Sequence, residues 1–81
     1  MLFMGKIYSG NGWLLKVHGN EHPPIHAHLL HPNGKATIAI NGDIQNTGVP
    51  SRIIKEAKDW ILAHPDELLT EWHKMNNPQQ R

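Results

Sequence analysis

Ile25-His26-Ala27-His28-Leu29-Leu30-His31-Pro32-Asn33-Gly34-Lys35-Ala36-Thr37-Ile38-Ala39-Ile40 places two alternating runs on either side of a turn sequence. Proline presets φ and Asn-Gly tolerates a tight reversal, so the stretch reads as a β-hairpin. Whether Asn33-Gly34 or Pro32-Asn33 takes the two central turn positions, paired residue numbers sum to an odd total, which fixes the faces. Ile25, Ala27 and Leu29 then stand beside Ala36, Ile38 and Ile40, an apolar face that belongs against a core. Side chains alternate along a strand, so His26 and His28 share the other face, near Thr37 and Ala39, and His31 points away from His28 if the strand stays regular.

Upstream, Lys6-Ile7-Tyr8-Ser9 and Trp13 to His18 flank Gly10-Asn11-Gly12, residues that accept positive φ, which predicts an earlier hairpin. Downstream, residues 42–48 read as a polar loop, and Pro50 suits the first turn of a helix, where its missing donor costs nothing. Ile53, Ile54, Ala57, Trp60 and Ile61 recur at helical spacing, with Arg52, Lys55, Glu56 and Asp59 toward water. His64-Pro65 interrupts that pattern, because the residue before proline is biased away from helical angles; His64 then closes the helix beside its carbonyl end. A second helix starts at Pro65 with Asp66 and Glu67 in its first turn, a stripe of Leu68, Leu69, Trp72 and Met75, and His73 toward solvent. The expected architecture is α+β: a small antiparallel sheet of two hairpins, with two C-terminal helices packed on its apolar face and the histidine face outside. Residues 1–76 form one domain in this reading and 77–81 a polar tail, with Trp60 and Trp72 as core anchors.

A chain of 81 residues holds one modest core, so any site is expected at or near the surface. There is no cysteine, hence no disulfide, no thiolate metal site and no thiol nucleophile; a metal would be held by nitrogen and oxygen. Eight basic and seven acidic residues give a formal charge of +1, which would reach +8 with all 7 histidines protonated. So small a charge supplies little counterion-release affinity, and nucleic-acid binding is unsupported. Leu2-Phe3-Met4 is too short for a signal peptide, and no run approaches a membrane span; a cytoplasmic protein of bacterial type is expected.

Chemistry concentrates in Glu21-His22-Pro23-Pro24-Ile25-His26-Ala27-His28, three imidazoles and a carboxylate around a rigid Pro-Pro step. His26 and His28, at i and i+2 on one strand, can converge on one metal, with His22 or Glu21 arriving from the preceding loop. Zinc, nickel, manganese or iron would suit such a nitrogen and oxygen set. The competing reading makes the same histidines amphipathic surface residues that hydrogen-bond the Pro-Pro loop. No His-Glu-x-x-His helix accompanies them, Ser9 and Ser51 lack a nucleophile elbow, and Asp43 lies in a loop that sequence does not place. His18 and His31 read as ordinary strand-end residues.

Asn20-Glu21-His22-Pro23-Pro24-Ile25-His26-Ala27-His28, followed by a hairpin and a Trp-containing helical end, resembles the DUF4160 family of small bacterial proteins over nearly the whole chain. The family usually carries a bulkier or charged residue where this chain has Ala27, and often a third proline near Ile25. The resemblance carries over no catalytic residue. It implies a setting among paired small genes, including toxin-antitoxin and mobile-element cassettes, and hence a protein partner. The leading expectation is a binding module in which Glu21, His22, His26 and His28 hold a divalent transition metal or an anionic ligand, within a two-protein regulatory, toxin-antitoxin or defence module. The second is a nuclease or hydrolase with His26 or His28 as general acid/base and Lys35 or Lys16 on phosphate. The third is a structural interaction module that uses no metal and binds a small protein or a second copy through an edge strand.

Overall fold

A computed structural model describes residues 4–19 and 23–76, with side chains from Ile7 onward. Five strands, β1 (Met4–Ser9), β2 (Leu14–His18), β3 (His26–His31), β4 (Gly34–Ala39) and β5 (Ile44–Thr47), precede α1 (Ser51–Ala63) and α2 (Pro65–Asn76). The strands pair in chain order as one antiparallel sheet. Each strand therefore neighbours the one before it, and no long crossover is needed.

The decisive hairpin closes over Pro32-Asn33, with His31 opposite Gly34. Ala27 then faces Ile38 and Leu29 faces Ala36, while His26 faces Ala39 and His28 faces Thr37. This is the odd-sum register, and it sends Ala27, Leu29, Ala36 and Ile38 into the core. Leu15 and Val17 of β2 join them, and Ile53, Ala57 and Ile61 of α1 with Leu68 and Trp72 of α2 close over the top. Burial of these apolar faces is the main force holding sheet and helices together. The break between the helices falls at His64, whose backbone leaves helical angles at φ −132°, ψ 53°. Its Nδ1 lies 2.9 Å from the Trp60 carbonyl, so the ring closes the end of α1.

Residues 42–48, expected as a polar loop, instead carry β5. An edge strand needs a hydrogen-bonded neighbour on one side only, and here Gln45, Asn46 and Thr47 are exposed, so little apolar alternation announces it. Only Ile44 of this strand packs against the core. Gly42 adopts φ 102° in the connecting turn, where the Ala39 amide donates to the Asp43 carbonyl. Within the strand, the Asn46 side chain both donates to the Val49 carbonyl (2.9 Å) and accepts from the Val49 amide (3.0 Å), fastening buried Val49 just past the strand's end.

At the other edge the register of β1 slips between Lys6 and Tyr8, which sets Tyr8 opposite Leu15. The Tyr8 ring stacks on Trp60 at 4.8 Å and tilts over Trp13 at 5.6 Å. Trp13 is buried, and its indole N–H donates to Glu56 at 3.2 Å, so the β1–β2 turn is tied to α1.

Gly34 marks the closest approach in the sheet. A Cβ there would run into the Thr47 carbonyl and stand 2.8 Å from the Gly48 Cα, both backbone atoms that cannot swing aside. Gly34→Ala is expected to lower unfolding free energy by about 1–3 kcal/mol through this overpacking. Urea denaturation measures it, and wild-type stability in the variant would contradict the described approach of β4 to residues 47–48.

Candidate functional site

Alternation along β3 puts His26 and His28 on the face opposite Ala27 and Leu29, as expected. Antiparallel pairing with β2 sets Lys16 opposite His28, and His18 lies on the same side of β2 as Lys16. The rings gather tightly. His18 stacks on His28 with centroids 3.9 Å apart and planes 11° from parallel, and His26 meets His28 edge-on at 5.2 Å and 62°.

His26 is oriented by the turn before it, in which the Pro23–Pro24 peptide bond is cis. Its Nδ1 lies 2.8 Å from the Pro24 carbonyl. A carbonyl only accepts, so this hydrogen bond assigns the proton to Nδ1. The opposite assignment holds at His31, whose Nδ1 accepts the Asn33 amide at 3.0 Å and fastens the β3–β4 turn.

The histidine face is less open than the sequence suggests. His18, His26 and His28 are each half-buried. The rings of buried Trp72 and His26 meet edge-to-face at 5.2 Å and 61°, and the Asn76 side-chain amide donates to the His18 carbonyl at 3.0 Å. The second helix thus reaches the histidine end of the sheet, where the expectation left a bare outer surface. Two shallow hollows adjoin the rings. One of about 370 Å³ brings Asp43 into the same wall as His26, and one of about 220 Å³ lies between His28 and Lys35.

Of the four residues expected to form a ligand set, His26 and His28 are brought together. Glu21 and His22 lie outside the described residues. Two imidazoles sharing a tetrahedral zinc, each at about 2.0–2.1 Å through nitrogen, hold their ring centres roughly 5 Å apart. The His26–His28 separation of 5.2 Å matches that distance. The His18–His28 stack does not, because nearly parallel rings at 3.9 Å cannot aim two lone pairs at one point. His18 is instead a wall that holds the His28 ring, a role the sequence reading missed. Among the described residues, no group of three or more His, Asp or Glu side chains is placed to hold a metal ion.

A family model described as a domain of unknown function, DUF4160, matches residues 12–73, a span that contains the histidine motif and both helices' core positions. No curated protein and no solved structure matches the chain. No helix among the described residues is long and apolar enough to cross a membrane.

Proposed function

The chain belongs to the DUF4160 family, and from its histidine geometry we propose that it is a small binding module for a divalent transition metal, held by His26 and His28 with Glu21 and His22 completing the set. The observation that carries this reading is the inclined His26–His28 pair at 5.2 Å, with His26 Nδ1 engaged on the Pro24 carbonyl. A ligating imidazole characteristically donates its other N–H to a carbonyl or carboxylate, which fixes the tautomer and raises the basicity of the ligating nitrogen. The Nδ1 hydrogen bond of His26 to the Pro24 carbonyl is a contact of that kind. A set richer in nitrogen than oxygen, with no thiolate, favours zinc or nickel over manganese. The proposed setting is a two-protein regulatory module, supported by the family's likeness in size to the products of paired small genes.

Zinc titration of the untagged protein tests the reading. Saturable equimolar uptake is expected, weakening as pH falls because protons compete for the imidazole nitrogens. Absence of uptake, or uptake that is insensitive to both acidification and loss of His26 and His28, would sink it.

A further inference from the structure

The sheet face carries a second feature, which adjoins the histidines. Across it, His28 pairs with Thr37 and Thr37 with Gln45, while Lys35 pairs with Thr47. The short side chains of Thr37 and Ala39 on β4 lie between larger ones on β3 and β5, which leaves a trough along β4. Its hollows of about 370 and 220 Å³ share Thr37 and Gln45 as lining. Charge is graded along it. Lys35 stands at one end, Asp43 at the other, and the five residues from Lys35 to Ala39 span roughly 13 Å. Among the described residues, Lys35 makes no ion pair, and the side chains of Thr37, Gln45 and Thr47 make no hydrogen bond. An ammonium, two hydroxyls and an amide therefore converge on the smaller hollow with their donors uncommitted.

We infer that this hollow is an oxyanion subsite that takes the phosphate group of a small phosphorylated ligand, with Lys35 as its charge partner and Thr37, Gln45 and Thr47 as donors. Several donors around one point suit a phosphate, with its three terminal oxygens, better than a carboxylate. About 220 Å³ accepts a head group and not a polymer. A formal charge of +1 likewise offers little to a nucleic-acid backbone. The inference deepens the metal reading by giving that face a ligand class, since Lys35 lies two residues, roughly 7 Å, along β4 from the Thr37 that faces His28. It rests on that reading only for the metal's share in holding the anion.

The test is calorimetric titration of phenyl phosphate into wild type, Lys35→Gln and Thr47→Val, with and without zinc, beside benzoate and a short single-stranded RNA. Thermal melting of each variant checks that it folds. Saturable phenyl phosphate binding is expected, at least tenfold weaker in Lys35→Gln, weaker in Thr47→Val, and stronger than benzoate binding. Phenyl phosphate binding that needs Lys35 in a protein that takes up no zinc would retain the subsite while the metal reading fails. No saturable binding, equal binding of benzoate, affinity indifferent to Lys35→Gln, or tight salt-sensitive RNA binding without phenyl phosphate binding would each overturn the inference.

Discussion

Trp72→Ala is expected to lower the unfolding free energy by roughly 3–5 kcal/mol, the usual range for deleting a large aromatic from a core. Trp72 is 6% exposed and lies in the cluster where α2 meets the sheet, with Leu68 one turn before it. Small domains hold only about 5–15 kcal/mol in total, so this one side chain accounts for a large share of the fold. The loss has a second consequence, because the same indole meets the His26 ring. Trp72→Phe separates the two effects: it keeps an aromatic ring and should retain most of the stability. Urea unfolding of both variants decides the matter. A loss below about 1 kcal/mol in Trp72→Ala would contradict the packing of α2 on the sheet.

His26→Ala/His28→Ala is expected to weaken zinc binding by well over a hundredfold, since even second-layer contacts to a metal site cost about 10–100-fold when removed. The fold should survive, because both rings are half-buried and neither belongs to the buried core. His18→Ala supplies the comparison. Its ring stacks on His28 without converging on a common point with it, so its removal should cost about tenfold, through loss of orientation alone. Competition with a chelating dye measures all three. Equal losses in His18→Ala and in the double variant would mean that the ring cluster, not the inclined pair, governs binding.

The hairpin at residues 25–40 was legible because two constraints coincide there: a Pro-Asn-Gly turn sets the parity of pairing, and the apolar positions occupy one parity only. The helices were legible for a similar reason, with Pro50 and Pro65 preceding stripes at helical spacing. The fifth strand was not. Its own Gln45, Asn46 and Thr47 are polar and exposed, so the pairing rests on backbone hydrogen bonds that side-chain pattern does not report. His18 was read as an ordinary strand-end residue, and its contact with His28 was missed for a different physical reason. The connection from Gly19 to Ile25 is too long for turn geometry to set the β2–β3 register, and only that register, with Lys16 opposite His28, brings His18 over the site. Trp72 at His26 is likewise a product of helix placement, which periodicity leaves open.

A proton–nitrogen correlation spectrum of the histidine rings, followed through a zinc titration, tests the central claim most directly. His26 should retain its Nδ1 proton throughout while its Nε2 resonance moves to the metal-bound position, and His28 should shift with it, both reaching a plateau at equimolar zinc. Ring resonances of His26 and His28 that stay unmoved at equimolar zinc, or that drift no more than those of exposed His73, would contradict it.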